Sequence, residues 1–499
     1  MKKNQLLHDI RIEKIVYGGV WLATLPTGKK VLIKWGALPG SVVDCRIVKK
    51  KKDHIQAHIV MIKEYDKEYA DGDVFCPHYF VPISALQADM PTHKIGCGGC
   101  KWQVMSYPKQ LEIKERIVAE SFQSFEGITR HPIIPSPQVK WYRNKIEFSF
   151  GKYISHKQDI HTDRNLGFHK QGEFSKIIDI DSCGLVSSQA NKLFEYLKEL
   201  LQKSGLPVYD QKMHTGVLRH LVIREWVNTE QFLINLVISD GNFTEEWKNI
   251  WEDVQEQIKK DKYLQKTVTT FVVTYNNGLA DIVRDKTSRT VALWWDSYIY
   301  DKLVFPNDKD EVSLNFRISP FSFFQTNTLA AQQLFWHAAK HIQNVKWTIL
   351  DVYCGAGSIG LSLLWIGIGE SMVGVEIVED AVTDAWHNAE INGLKDQSLF
   401  FSGKAEKLFV DYPQVSEKLD DLWLIVVDPP RDGLHKDVIW FVSNLHKKYG
   451  CKILYISCNP VTMARDCRLF AEVWIHTKLL QPVDMFPHTH HIETIWLLY

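Results

Sequence analysis

The chain has 499 residues, 45% of them hydrophobic and 12% aromatic, which is enough apolar material for about three folded domains and argues against a disordered protein. Its 59 basic and 59 acidic residues leave no net charge, which is unusual for a protein that coats nucleic acid. The first residues lack a secretory signal, and no run approaches the ~18 apolar residues of a membrane span, so we expect a soluble cytoplasmic protein, which we take to be monomeric.

Residues 1–66 carry short alternating segments separated by turn signals. Four of these segments alternate like strands, at residues 12–17, 20–24, 30–34 and 41–48. This spacing is typical of a small OB-like barrel, a fold that commonly binds RNA. Residues 1–63 hold 13 Lys or Arg against 4 Asp or Glu, an excess of nine basic side chains. An isolated lysine run usually forms a solvated loop, but within a β-rich module it favours RNA binding.

Residues 67–319 mix helical and strand patterns, which predicts an α+β central domain. Helical patterns cover residues 110–125, 188–202 and 244–260, and strand patterns cover residues 142–150, 218–225, 232–239 and 268–275. The stretch before the first of these helices is loop-like and holds three cysteines.

The nine cysteines are not expected to form disulfides in a cytosolic chain, so they are core thiols, ligands or nucleophiles. Three of them, Cys45, Cys451 and Cys467, lie in apolar patterns and are expected in the core. The candidate metal ligands are Cys76, Cys97, Cys100 and Cys183. Four thiolates can hold an iron–sulfur cluster or a tetrahedral zinc ion, and these residues alone leave both open.

From residue 320 to residue 499 strands and helices alternate, which predicts a parallel, doubly wound α/β sheet of the Rossmann type. The strand patterns lie at residues 347–353, 372–377, 399–402, 422–427 and 452–457, with helices from residue 358 and through residue 387. Two more strand patterns, at residues 474–480 and 494–498, indicate an edge hairpin. In such a sheet, ligands gather beyond the carboxyl ends of the strands.

A glycine-rich turn follows the first strand of this sheet and leads into a helix. Gly355, Gly357 and Gly360 have the spacing of a dinucleotide-binding turn, where glycine lets backbone N–H groups approach a cofactor. Glu376 ends the next strand about twenty residues later and is placed to bind ribose hydroxyls. An NAD-dependent dehydrogenase would fit this turn equally well, so only the downstream motifs discriminate.

Three later strand ends carry an acid, a thiol and a second acid. Asp428 heads an Asp-Pro-Pro-Arg segment, Cys458 lies in Ser-Cys-Asn-Pro, and Glu493 precedes the last strand pattern. A thiol flanked by carboxylates can act as a nucleophile with acid–base help, and it belongs to no hydride-transfer scheme. The Asp-Pro-Pro segment also resembles amino-methyltransferases, but those enzymes usually place an aromatic residue where Arg431 stands.

Three histidines, His488, His490 and His491, lie shortly before Glu493. Their spacing fits no His-Glu-x-x-His helix, which disfavours a metal ion at this place. We expect the three rings to line or pack the loop that carries Glu493.

Together, the glycine turn and the acid, thiol and glutamate segments resemble the S-adenosylmethionine-dependent RNA uracil-C5 methyltransferases. The similarity covers nearly the whole chain and implies that a thiolate adds to C6 of uracil, that C5 takes the methyl group, and that a base removes the C5 proton. It implies Cys458 as the nucleophile and Glu493 as the base. It also implies cofactor contacts from Gln325, Tyr353, Gly355, Ser358, Glu376 and Asp428.

The resemblance extends to the N-terminal module and to the four candidate ligand cysteines. The module, with its Tyr17-Gly18-Gly19 turn, resembles the TRAM domain of tRNA- and rRNA-modifying enzymes. The cysteines resemble the ligands of the family members with a 4Fe–4S cluster, although the 20 residues between Cys76 and Cys97 form a longer insert than is usual there. Zinc is the alternative metal.

The barrel and the cysteines together imply the branch of the family that methylates 23S rRNA. Two alternatives stay open: a uracil-C5 methyltransferase that acts on tRNA, and a non-enzymatic RNA-binding or assembly factor. The second is disfavoured because the nucleophile, the base and the cofactor turn are all present.

Overall fold

The computed structural model describes the chain from residue 2 to residue 499 except residues 35, 37, 67, 80–95, 156–159, 171–172, 295–296, 307–310 and 343–346. These residues form sheets of six, seven and eight strands and one two-stranded ribbon. The mixed α/β architecture with a Rossmann-like C-terminal sheet confirms the predicted fold class. Within the described ranges, no helix is both long and apolar enough to cross a bilayer.

The N-terminal module is a six-stranded sheet with the order β1-β5-β6-β4-β3-β2. Its strands are β1 (Leu6–Arg11), β2 (Lys14–Val16), β3 (Val20–Thr24), β4 (Lys30–Ile33), β5 (Val42–Lys50) and β6 (His54–Glu64). Alternating side chains such as Trp21, Val31 and Ile55 share one buried core, as the period of two requires. Lys49 and Lys50 are exposed at the end of β5, so part of the basic excess is on the surface.

Helix α1 (Tyr107–Ser121) and strand β7 (Thr129–Arg130) follow the module. One side of α1 packs on the N-terminal module through Ile113 and Ile117. Its other side packs on the core of the C-terminal sheet through Val118 and, just after the helix, Phe122. The helix therefore joins the first and last parts of the chain.

The central seven-stranded sheet has the order β10-β9-β8-β11-β12-β13-β14. Its elements are β8 (Lys145–Ser155), β9 (Ile160–Lys170), β10 (Glu173–Asp179), α2 (Ser188–Lys203), β11 (Leu218–Glu225), β12 (Phe232–Ile238), α3 (Glu245–Lys260), α4 (Lys262–Thr267), β13 (Thr270–Tyr275) and β14 (Arg289–Ala292). Helices α2 and α3 cover one face, where Leu197 and Trp251 share a core with Phe148 and Leu221. Because side chains alternate along a strand, residues such as Glu147 lie on the opposite, more polar face.

The C-terminal eight-stranded sheet has the order β19-β18-β17-β20-β21-β23-β22-β7 and follows the two-stranded ribbon in the chain. Ribbon and sheet comprise β15 (Ile299–Pro306), β16 (Glu311–Ile318), α5 (Thr328–Ile342), β17 (Thr348–Val352), α6 (Ser358–Ile366), β18 (Ser371–Glu376), α7 (Glu379–Ile391), β19 (Ser398–Ser402), α8 (Leu408–Asp411), α9 (Val415–Lys418), β20 (Leu422–Val427), α10 (Lys436–Tyr449), β21 (Lys452–Ser457), α11 (Pro460–Ala471), β22 (Thr477–Val483) and β23 (Glu493–Leu498). The five strands β17 to β21 are parallel to one another, whereas β22 and β23 form the predicted hairpin. Strand β7 pairs with β22, so the hairpin is not the outermost edge of the sheet.

Candidate active site and four-cysteine site

Four parallel strands of the C-terminal sheet end at the same edge, and each carries a sequence-predicted residue at or just after its end. These residues are Tyr353, Glu376, Asp428 and Cys458. Strand β23 runs antiparallel to β21, with Ser457 opposite Thr494, so β23 begins at that same edge. Its first residue is Glu493, and the thiol, the carboxyls and the glycine turn therefore meet at one end of the sheet.

The glycine turn between β17 and α6 uses backbone conformations that favour glycine. Gly355 and Gly357 have φ values of +54° and +81°. A Cβ atom at Gly360 would lie 2.5 Å from Met372 Cε, so a residue without a side chain lets α6 approach β18 closely. The amide of Gly360 donates to the Asp351 carboxylate at 2.9 Å, and burial raises the pKa of Asp351 to about 8. The turn is thus fixed from inside the sheet.

Glu376 connects the glycine turn to a cavity. Its carboxylate accepts hydrogen bonds from the backbone N–H groups of Gly355 at 3.1 Å and Val378 at 3.0 Å. A cavity of about 270 Å³ is lined by Tyr353, Glu376 and Ile377, among other residues. Because each carboxylate oxygen can accept more than one hydrogen bond, Glu376 can hold the turn and still bind ribose hydroxyls.

The other two sequence-predicted cofactor residues lie at the start of α6 and shortly before α5. Ser358 is the first residue of α6, directly after the glycine turn, where free N–H groups favour an anionic or polar ligand. Gln325 lies three residues before α5, and its side chain is buried. The backbone carbonyl oxygen of Gln325 accepts a hydrogen bond from Asn144 Nδ2 at 3.0 Å, which links this segment to the central sheet.

Asn459 shapes the turn that presents Cys458. Its Oδ1 accepts hydrogen bonds from the N–H groups of Val461 and Thr462 at 3.1 and 3.3 Å, which caps helix α11. Its Nδ2 donates to the carbonyl oxygen of Arg431 at 2.8 Å. One side chain therefore fixes the cysteine turn to the Asp-Pro-Pro-Arg segment.

The environment of the site raises the pKa of Cys458, Glu493 and Asp428. Burial, together with the charges of Glu493 and Asp428, raises the pKa of Cys458 to about 12, and Arg431 opposes this shift. Burial and the Asp428 charge raise the pKa of Glu493 well above its usual value. Burial raises the pKa of Asp428 to about 7. A buried carboxyl of raised pKa is the kind of group that serves as a general base.

The turn between β2 and β3 of the N-terminal module also reaches this site, which sequence reasoning missed. Gly19 packs so closely on His490 that a Cβ atom at Gly19 would lie 2.9 Å from the His490 Cβ. Tyr17 of the same turn is half-buried, and burial with the charges of Cys458 and Glu493 raises its pKa to about 12. The only sequence signal was the Tyr17-Gly18-Gly19 turn itself, which indicated a fold but not its neighbours.

The three histidines pack within the loop before Glu493. Burial lowers the pKa of His488, His490 and His491 to about 4, 2 and 3, so the rings are neutral near pH 7. The rings of His490 and His491 lie 4.1 Å apart, and Nη2 of Arg431 is 3.5 Å from Nδ1 of His491. The loop thus connects the Asp-Pro-Pro-Arg segment to the N-terminal module.

The four candidate ligand cysteines line one cavity of about 510 Å³, together with residues of the central sheet and of the segment before α5. They are Cys76, Cys97, Cys100 and Cys183. The N–H of Cys97 donates to the carbonyl oxygen of His78 at 2.9 Å, so the two ends of the long insert meet. Residues 80–95 of that insert lie outside the described residues.

The cysteines of this site are buried or half-buried, and their thiols influence one another's pKa. Burial, with the charges of neighbouring cysteines, raises the pKa of Cys97 to about 12 and that of Cys183 to about 11. In the part of the chain that the structure describes, no three Cys, His, Asp or Glu side chains converge on a point where one metal ion could bind.

A buried ion pair fixes the start of the loop that leads to Glu493, and it too was missed from the sequence. Nζ of Lys114 lies 2.6 Å from Oδ1 of Asp484, and both side chains are fully buried. A signal was available: Lys114 follows Ile113 and precedes Val118 by four positions, which places it on the apolar side of α1. A lysine on such a face requires a buried acceptor.

Known proteins are similar to this chain in sequence and in fold. A family model described as tRNA (uracil-5-)-methyltransferase matches residues 106–499. Uncharacterized RNA methyltransferases of Caldanaerobacter subterraneus and Clostridium acetobutylicum are each 32% identical over 100% of this chain and over 99% and 98% of their own lengths. The crystal structure of the Pyrococcus abyssi tRNA (uracil-54, C5)-methyltransferase in complex with S-adenosyl-L-homocysteine has 24% identity and a TM-score of 0.68, covering 99% of this chain and 100% of that one.

Proposed function

This chain belongs to the tRNA (uracil-5-)-methyltransferase family and is an RNA methyltransferase, and on that premise we propose that it methylates C5 of a uracil through a covalent bond between Cys458 and C6. The observation that carries the proposal is the pairing of β21 with β23, which brings Cys458 and Glu493 to one sheet edge. Asp428 and the glycine turn lie at the same edge. A nucleophile, a base and a cofactor turn in one place are the parts that this reaction needs.

The chemistry follows from the weak nucleophilicity of uracil C5. The Cys458 sulfur forms a bond to C6, and the electron pair of the C5–C6 double bond makes C5 an enolate carbon that displaces the methyl group from the sulfonium. Asp428, with a pKa of about 7, can take the proton that the thiol loses. Glu493, as the carboxylate, then takes the C5 proton; the C5–C6 double bond re-forms and the bond from sulfur to C6 breaks.

We propose S-adenosylmethionine as the methyl donor. The Pyrococcus abyssi protein of the same fold was crystallised with S-adenosyl-L-homocysteine, the product that this donor leaves. In this chain, Glu376 and Tyr353 line the 270 Å³ cavity and are proposed to hold the adenosine. Gly355, Ser358 and Gln325 are proposed to contact the rest of the donor, and Asp428 its methionine end or the uracil.

We propose 23S rRNA as the substrate and a monomeric enzyme acting in the cytoplasm. Support comes from the basic N-terminal module and the four-cysteine site, which the 23S-directed branch of the family shares. The alternative is tRNA, which is favoured by the likeness in fold to a tRNA (uracil-54, C5)-methyltransferase. In either RNA the target base has to leave its stack to reach Cys458.

Deletion of the gene should remove at least one 5-methyluridine from 23S rRNA and leave the tRNA modification unchanged. The measurement is mass spectrometry of nuclease fragments from both RNAs, with plasmid-borne wild-type and Cys458→Ala genes as restoring and non-restoring controls. Loss of the nucleoside from tRNA alone would assign the enzyme to the alternative substrate.

We further propose that the four cysteines bind a 4Fe–4S cluster. Support comes from the donor set, since all four thiols line one cavity and four thiolates are the usual ligands of such a cluster. Arg143 lines the same cavity, and its charge partly opposes the rise that burial causes in the pKa of Cys183. When bound, the cluster would join separate chain segments, and the methyl transfer itself requires no redox centre.

The protein purified without oxygen should be brown and contain about four irons per chain. Replacing Cys97 or Cys100 with Ala should remove both the colour and most of the soluble yield, because a ligand is lost. Cys45→Ala, which changes a buried thiol of the N-terminal module, should keep both. A colourless protein with one zinc ion per chain would contradict the cluster.

A further inference from the structure

One residue of the loop before Glu493 is held from several directions. The carbonyl oxygen of His488 accepts hydrogen bonds from the backbone N–H groups of Lys101 and Trp102 at 2.9 and 3.1 Å. Its N–H donates to Oε1 of Gln110 at 2.7 Å, and its Nδ1 lies 3.1 Å from Nε2 of Gln110. We call these four residues the His488 clamp.

The backbone conformation of His488 explains why so many contacts converge on it. Its φ is +65°, a region that is unfavourable for a residue with a side chain and that persists only where surrounding contacts impose it. The ring packs edge-on against Phe75 at 5.0 Å between centroids. His488 lies five residues before Glu493, so its position sets where the loop delivers the base.

The residues just before His488 are held by α1, which also carries Gln110, and by Tyr142. Nζ of Lys114 donates to Asp484 at 2.6 Å and to the carbonyl oxygen of Phe486 at 3.0 Å. The hydroxyl of the fully buried Tyr142 donates to the carbonyl oxygen of Pro487 at 3.0 Å. Movement of the loop therefore requires these contacts to break together.

The clamp is continuous with the four-cysteine site. Lys101 and Trp102 directly follow the Cys97-Gly-Gly-Cys100 segment. The hydroxyl of Tyr79 donates to the carbonyl oxygen of Lys101 at 2.8 Å, and the backbones of Tyr79 and Cys97 form an isolated β-bridge. The N–H groups that hold His488 are thus placed by the same segment that carries two of the thiols.

We infer that the His488 clamp is the positioning contact through which the four-cysteine site sets the catalytic base. The inference rests on the proposed function, in which the Glu493 carboxylate accepts the C5 proton while the bond between Cys458 sulfur and C6 breaks. His488 does not touch the reacting atoms and acts only by placing Glu493. Weakening the clamp should therefore slow the release step and leave the preceding methyl transfer nearly unchanged.

The first test uses the full-length, anaerobically purified His488→Ala enzyme. Misplacing a catalytic group by about 1 Å costs on the order of 100-fold, so we expect turnover to fall about 10- to 100-fold. Methyl transfer in a single turnover should stay within about threefold of wild type, and a methylated protein–RNA adduct should accumulate on a denaturing gel. Asn tolerates positive φ better than most residues, so His488→Asn should recover much of the turnover.

His214→Ala is the matched control. His214 is also a histidine at positive φ, +55°, and its Nδ1 lies 3.3 Å from the hydroxyl of Tyr209 in the central part of the chain. Its replacement removes a ring from a comparable backbone conformation without touching the clamp. It should give wild-type turnover and no adduct.

The second test measures the mechanical link without any reaction. Hydrogen–deuterium exchange of residues 484–492 should be faster in Cys97→Ser than in wild type, and faster also in Gln110→Met, which leaves every cysteine in place. The Gln110→Met protein keeps the test decisive if Cys97→Ser does not fold. Unchanged exchange in a folded Cys97→Ser or in Gln110→Met would overturn the inference, and so would normal turnover of His488→Ala.

The two hypotheses fail in different ways. If Glu493→Gln and His488→Ala both give no adduct while exchange in residues 484–492 responds to Gln110→Met, Glu493 is not the base and the inferred link to catalysis is overturned with it. If Glu493→Gln accumulates adduct while His488→Ala cycles freely, the base is confirmed and only the inference fails.

Discussion

The Cys458→Ala enzyme is expected to bind RNA and S-adenosylmethionine but to transfer no methyl group. Without the sulfur, C6 of uracil stays unattacked and C5 never gains enolate character. Removing a covalent nucleophile elsewhere costs on the order of 10⁶-fold in kcat, so we expect a loss of at least about 10⁴-fold here. The measurement is incorporation of labelled methyl groups into RNA, with gel-shift and calorimetric titrations for the two ligands.

Cys451→Ala provides the control for this substitution. Cys451 is fully buried directly before β21, whereas Cys458 directly follows that strand. The control removes a thiol from the same part of the sheet, far from the reacting edge, and should keep nearly all activity. Substantial turnover by Cys458→Ala would rule out the covalent route.

The Glu493→Gln enzyme is expected to transfer one methyl group and then stop. Gln is similar in shape to Glu but cannot accept the C5 proton, so the bond between Cys458 and C6 should persist after methylation. The result should be a protein–RNA adduct that carries the new methyl group and migrates slowly on a denaturing gel. Multiple-turnover activity should fall by about 10²- to 10⁴-fold, the usual contribution of a general base.

The adduct has to depend on the thiol if this assignment is right. The double variant Cys458→Ala, Glu493→Gln should therefore give none. If Glu493 only supports the fold, the Gln protein should either lose its thermal transition or cycle at a modestly reduced rate without adduct. In the second case Asp428 or a bound water would be the base.

The strands that end at the site could be predicted because their sequences are continuous apolar runs bounded by motifs. The predicted strands 422–427 and 452–457 coincide with β20 and β21. Parallel strands buried on both faces give such runs. The first central helix begins at Tyr107 rather than the predicted 110, because Pro108 in the first turn needs no N–H partner.

Strands with mixed polarity escaped prediction. β9 contains His, Thr, Asp, Arg and Asn among its 11 residues and shows no apolar run, and β1 and the ribbon strands β15 and β16 were missed as well. These strands are held by pairing with neighbours rather than by their own pattern.

At the site, local motifs indicated the residues with distinctive chemistry, whereas contacts between distant segments stayed invisible. Tyr17 and Glu493 lie at opposite ends of the sequence but influence each other in the fold. Gly19 and His490, which are in contact, are equally far apart in the sequence. Gln110 and His488 lie 378 positions apart. Such contacts depend on how three sheets are placed, which no local periodicity encodes.

The position of α1 has a consequence for the order of synthesis. Lys114 leaves the ribosome 370 residues before Asp484, the partner that neutralises it in the folded protein. Until then its helix has no complete surface to pack on, because Phe122 contacts Trp496 at 4.0 Å between ring centroids and β7 pairs with β22. The C-terminal sheet is therefore built from chain segments that precede and follow the central domain in the sequence. Until synthesis is complete, the nascent chain exposes the apolar face of α1, which chaperones would recognise. A fragment that starts at residue 320 would lack α1 and β7 and would therefore expose Trp496 and the edge of β22.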